Sequence, residues 1–118
     1  MSTSVLVVTS RCTDPAREAE FNRWYDELHL PAILSSQHFV AAQRYKLAGP
    51  PSKSEPEATY LAIYEIDTAD VPAAMQALAE SRASWPDAAK TIDTLQVFSA
   101  TTYTAIGAHQ EAAAAAAG

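Results

Sequence analysis

The chain has 118 residues, 48% hydrophobic and 19% charged, with a formal net charge of −6 and only eight Lys and Arg. One domain of this size buries roughly two thirds of its unfolded surface, and the shortage of clustered cations argues against nucleic acid and against an anionic membrane surface. The lone Cys12 excludes an internal disulfide, and one thiol with three histidines excludes the Cys-rich zinc patterns.

Val5, Leu6, Val7 and Val8 form a short apolar run within Ser4–Ser10, predicting a strand buried on both faces. Asp14 is a good N-cap and Pro15 suits the first helical position, with Arg17, Glu18 and Glu20 next in line. Phe21, Trp24, Tyr25 and Leu28 then recur at i, i+3, i+4 and i+7, predicting an amphipathic helix with Phe21, Trp24 and Leu28 as its buried stripe. Glu18, Asn22, Tyr25 and His29 make a neighbouring stripe, and Asp26, three residues before His29, lies within side-chain reach of it. Pro31 is expected to end or kink this helix near His29 or Leu30, with one more turn over Ala32–Ser36.

His38–Leu47 reads as a second strand, with Phe39, Ala41, Gln43 and Tyr45 on one face and Val40, Ala42, Arg44 and Lys46 on the other. The prolines and serines of Gly49–Glu57 predict an exposed loop. A third strand spans Ala58–Ile66, with Tyr60, Ala62, Tyr64 and Ile66 on one face. Val71–Arg82 reads as a second helix carrying Ala74, Met75, Leu78 and Ala79 on one side, and Pro86 and Asp87 mark a break. A last strand lies within Thr91–Ile106, centred on Leu95, Val97, Phe98 and Tyr103. Residues 1–107 form the single expected domain, and residues 108–118 an alanine-rich tail with no assigned role. No basic leader and no long apolar run is evident, so a cytoplasmic protein is expected.

Strand, helix, strand, strand, helix, strand is the split βαβ order, an α+β ferredoxin-like fold with an antiparallel four-stranded sheet and both helices on one face. Two helices cover one side only, while the first and third strands look apolar on both. A second copy of the chain in a two-fold homodimer is the expected cover.

The segment Trp24-Tyr25-x-x-x-His29-x-Pro31, with a strand downstream that begins after Phe39 and runs through Arg44 and Tyr45, resembles the EthD-like family of dimeric α+β barrel proteins. The resemblance implies that fold and a pocket at His29. Relatives in the superfamily include cofactor-free monooxygenases of aromatic polyketides, cyclases, dehydratases, lactone isomerases and haem-binding enzymes, so a substrate is not implied.

The residues themselves point to the same place. A histidine at the rim of an apolar stripe beside a carboxylate suits proton transfer near neutral pH. His29 is therefore the candidate general acid or base, Asp26 the group that fixes its tautomer, and Tyr25 a hydrogen-bond donor to substrate. Trp24, Asn22, Tyr45, Tyr64, Trp85 and Phe98 are candidate substrate contacts. Plainer roles compete: His29 capping the last carbonyls of its helix, Trp24 as core, Asp26 as a solvated charge, His38 in a turn. The leading expectation is a small-molecule enzyme doing cofactor-free acid–base chemistry (isomerisation, cyclisation, dehydration or oxygenation) on an apolar, oxygen-bearing substrate. A non-catalytic ligand-binding protein and a haem enzyme with His29 as axial ligand are the alternatives. With three glycines, Gly49, Gly107 and Gly118, the chain carries no Rossmann, P-loop or nucleophile-elbow motif.

Overall fold

The computed structural model describes residues 4–49 and 58–113. Most of the loop expected over 49–57 and the last five residues of the expected tail lie outside the described residues. β1 spans Ser4–Cys12, β2 Phe39–Lys46, β3 Tyr60–Ile66 and β4 Leu95–Thr104. They join in the order β2-β3-β1-β4 with every neighbouring pair antiparallel, the sheet of an α+β ferredoxin-like fold. Among the described residues no helix is long and apolar enough to cross a membrane.

One face of the sheet is covered. Tyr60, Ala62, Tyr64 and Ile66 of β3 alternate inward and are buried, with Leu6 of β1 beside them. Against them pack Phe21, Trp24, Tyr25 and Ile33 from the first helical segment and Ala74 from α3, which spans Val71–Arg82. The opposite face presents Val5 and Val7 of β1 beside Leu61 and Ile63 of β3, all partly exposed, flanked by the half-exposed Tyr45 and Tyr103.

Two bulges alter the strand faces read from simple alternation. The β2–β3 register shifts between Phe39 and Ala41, which puts Phe39 on the covered face together with Ala42, Arg44 and Lys46, and leaves Tyr45 on the open one. The β1–β4 register shifts opposite Thr9 and Ser10, so Phe98 falls at an extra position between Val97 and Ser99 and stays 41% exposed.

The first helix departs furthest from expectation. Asp14 caps a 3₁₀ turn at Pro15–Arg17 by accepting from the Ala16 amide, as its sequence predicts. α1 (Glu18–Trp24) then opens into a π-helical turn at Tyr25–His29 before α2 (Leu30–Leu34) resumes the tighter winding. Pro31 therefore neither ends the helix nor sits in a regular one. Its missing N–H and bulky ring conflict with the carbonyl four residues back, and a wide turn just upstream relieves that conflict. The extra residue also rotates the side chains at the end of the turn. Leu28, predicted to lie in the buried stripe, is 44% exposed, and His29 takes the inward direction instead at 9%.

His38 adopts a left-handed φ of 78° immediately before β2 and its Nδ1 lies 3.2 Å from Asp67, so it serves the turn. Beyond Pro86, a four-residue helix, α4 (Asp87–Lys90), precedes β4.

Candidate functional site

The π turn and α4 together place His29. A helix of four residues has no internal acceptor for its N–H groups or donor for its carbonyls, so the carbonyls seek outside partners. Trp24 Nε1 donates to the Ala88 carbonyl at 2.6 Å, and His29 Nδ1 lies 2.8 Å from the Ala89 carbonyl. A carbonyl only accepts, so Nδ1 carries the proton and Nε2 is left as the lone-pair nitrogen of a neutral ring. Trp24 stacks on the imidazole at 4.6 Å with 23° between planes, while Tyr25 and Trp85 meet it edge-on at 5.3 and 5.9 Å. Burial pushes His29 below its ordinary value of 6.5, the Ala89 carbonyl pulls it upward, and the charge of Arg82 pushes it down again. The net direction is down, so the ring is neutral at pH 7.

His29 opens onto a cavity of about 300 Å³ between α3 and the sheet. Leu6, Val8, Ile33 and Leu78 give it aliphatic walls, and Trp85 and Arg82 stand at the C-terminal end of α3. Tyr25 and Tyr64 supply its inner polar groups; they are 2% and 0% exposed. The Tyr25 hydroxyl lies near enough to Tyr64 and Ser10 for these groups to influence its ionisation. Neither Tyr64 Oη nor Ser10 Oγ has a hydrogen-bond partner of ordinary geometry. Burial drives both phenols upward, Tyr64 far beyond the usual tyrosine range, so both stay protonated donors.

The stripe predicted to converge on His29 is split in two. Asn22 and Asp26 turn to the other side of the helix, where Arg44 donates to Asp26 at 3.0 Å and to Asn22 at 2.8 Å. The guanidinium lies 4.3 Å from the centre of the Tyr25 ring, the side away from the cavity being thereby filled. Asn22 also donates to Tyr60 Oη at 3.3 Å, and Tyr60 in turn donates to Glu18. These groups line a separate edge cleft of about 400 Å³ that also takes in Tyr45. It is larger than the His29 cavity, but both of its cations are already engaged, Arg44 by Asp26 and Asn22 and Lys46 by Glu18 at 3.7 Å. Asp26 thus pairs with Arg44, and the Ala89 carbonyl does the orienting expected of it.

Of the sequence-derived candidates, His29, Tyr25, Tyr64 and Trp85 meet at the cavity and Trp24 supports it from behind. Asn22, Asp26 and Tyr45 belong to the edge cleft, and Phe98 lines neither. Ala89 and Arg82 went unnoticed in the sequence; a backbone acceptor leaves no trace in residue type, while the spacing of Arg82 from Leu78 on one helix face was available as a signal. Among the described residues no three His, Cys, Asp or Glu side chains gather as a metal site.

No protein-family profile and no curated protein matches the chain at the level of sequence. Solved structures do. HapK from Hahella chejuensis superposes with a TM-score of 0.57 at 12% identity, over 92% of this chain and 98% of its own. An EthD family protein from Bacillus halodurans C-125 gives 0.54 at 12% identity, over 90% and 100%. A candidate monooxygenase from Shewanella loihica PV-4 gives 0.51 at 16% identity, over 92% and 99%. At such identities the likeness establishes the fold alone, an α+β sheet-and-helix architecture shared along nearly the whole of each chain.

Proposed function

We propose that this chain, on its EthD-like fold, is a small-molecule enzyme of the proton-transfer type, with His29 as general base. The observation that carries the reading is the Ala89 bond: it fixes the Nδ1–H tautomer and leaves Nε2 free beside two buried phenols. In the proposed step Nε2 takes a proton from carbon next to a substrate carbonyl. The C–H electron pair moves into the enolate, and Tyr64 or Tyr25 donates a hydrogen bond to the oxygen that gains charge. Return of the proton to a different atom gives isomerisation; loss of a β-hydroxyl gives dehydration. Ring closure or reaction of the enolate with oxygen would begin from the same intermediate, and none of these needs a metal or organic cofactor. Burial lowers the basicity of His29 and in the same measure favours the unprotonated ring that a general base must be.

A haem reading fits the nitrogen and not the space. An axial histidine commonly donates its other N–H to a carbonyl as His29 does, but a cavity of about 300 Å³ is too small to enclose the macrocycle. The open sheet face supports a two-fold homodimer as the working form, since Val5, Val7, Leu61 and Ile63 lie side by side there.

Hydrogen–deuterium exchange tests the proposal without knowledge of the natural substrate. Aryl ketones and aromatic lactones are incubated in D2O with wild type, His29→Ala and Tyr64→Phe, and α-deuteration is followed by NMR. Wild type should accelerate exchange of at least one probe, with a loss of about 10²–10⁴-fold in His29→Ala. Tight binding without exchange would replace catalysis by ligand binding at the same cavity; equal exchange by His29→Ala would remove His29 from the mechanism.

A further inference from the structure

The cavity has one charged wall. Arg82 is the last residue of α3 and lines the cavity together with Trp85, its guanidinium 5.6 Å from the centre of the indole ring. Among the described residues no carboxylate pairs with it, whereas Arg17 and Arg44 are both held in ion pairs. Arg11, bonded to the Gln96 side chain, likewise stands outside any ion pair among the described residues, so the want of a carboxylate does not by itself single out Arg82. Its position does: Arg82 lies across an aromatic face at the rim of an apolar space, and its charge reaches His29. At the other end sits Tyr64, fully buried, with its hydroxyl unpartnered. A buried hydroxyl without a partner is costly unless something arrives to meet it. The cavity therefore has a neutral donor at its deep end, aliphatic sides and a free cation at its mouth.

We propose that the cavity takes a small monocarboxylic acid, its carboxylate at Arg82, its apolar body along Leu6, Val8 and Leu78, and an uncharged hydroxyl or carbonyl oxygen at Tyr64. This rests on the His29 cavity being the functional site and adds the charge and polarity of what enters it. The volume of about 300 Å³ limits the body to the size of one aromatic ring with a short chain. A cationic mouth also offsets the repulsion that a net charge of −6 exerts on an anion. Arg82 suits a carboxylate better than a lysine would, since its planar fork can give two parallel N–H bonds.

The probes are 3-(4-hydroxyphenyl)propionate, its primary amide, and 3-phenylpropionate, titrated calorimetrically into wild type, Arg82→Gln, Arg82→Lys and Tyr64→Phe. Wild type should bind the acid about fivefold tighter than the isosteric amide, the range of a partly exposed ion pair. That preference should vanish in Arg82→Gln, persist in part in Arg82→Lys, and shrink with added salt. Tyr64→Phe should keep the preference for acid over amide and lose the preference for hydroxyphenyl over phenyl. Equal binding of acid and amide by wild type, or an undiminished preference in Arg82→Gln, overturns the assignment of charge and leaves the cavity reading standing. Binding of none of the three overturns both. A guanidinium that merely complements the negative end of the α3 dipole would lower Tm on replacement and leave the acid-to-amide ratio untouched.

Discussion

His29 and Trp24 are five residues apart in the chain and lie stacked, 4.6 Å between ring centres, each bonded to one of two successive carbonyls of α4. In an unbroken α-helix residues five apart point about 140° away from each other. The π turn brings them onto one side, and α4 fixes them there.

The neutral, buried state of His29 makes stability depend on pH. Its folded value lies below the 6.5 of an unfolded histidine, so the unfolded chain binds the proton first. The protein should hold full stability from this group above about pH 7 and lose it progressively as pH falls below 6.5 toward the folded value. The depressed carboxylates Glu18, Glu20 and Asp93 add losses of the same sign only at lower pH, near and below their ordinary values. Urea melts at pH 7.5 and 5.5 should therefore differ in wild type and differ less in His29→Gln. The rate of α-proton exchange should track the same group, rising with pH to a plateau whose midpoint lies below 6.5, with no alkaline fall before the raised tyrosines ionise.

Tyr64→Phe should stabilise the empty protein. The hydroxyl removed is buried without a partner, so its loss relieves about 1 kcal/mol, which raises Tm by about 4–8 °C in a domain near this size. Thermal melting of the ligand-free protein checks this, and a lowered Tm would mean that Tyr64 is satisfied after all.

Leu28→Lys should change stability by no more than about 0.5 kcal/mol, because the π turn leaves Leu28 outside the core. Phe21→Ala, seven residues earlier and fully buried against Tyr25 and Tyr60, should cost about 3–5 kcal/mol. Chemical denaturation of both variants separates this winding from a regular helix, in which the two sites would share one buried stripe.

Sedimentation should find two copies of the chain in one particle, and Ile63→Glu should separate them while far-UV circular dichroism stays unchanged. Ile63 lies at the centre of the open face, opposite Val7 on β1 and Gln43 on β2, so a charge there is tolerated only in water.

Element order, the Asp14 cap, the strand pattern of β3 and the extent of α3 were all legible because each rests on local chemistry. Alternation, capping and proline placement need no knowledge of the rest of the chain. What escaped was anything that inserts one residue. A bulge near Phe39 and another at Phe98 break the period of two, and the π turn breaks the period of 3.6. Each moved a residue across a face: Tyr45 to the open side, Phe98 out of register, Leu28 into solvent. The site was legible to the extent that it hangs on His29, Tyr25, Tyr64 and Trp85. Its orienting group was not, since every residue owns a carbonyl and only the fold chooses which one is within reach.

A turn closed by an i→i+5 bond holds one residue more than a regular turn, so the helix bearing His29 has the form of a straight helix that has absorbed a single insertion. A counterpart protein with a straight helix here would present to its cavity the residue numbered one earlier. Equivalence between such chains requires a gap within Tyr25–His29; without it, Leu28 would be matched to a histidine that this protein carries one position on.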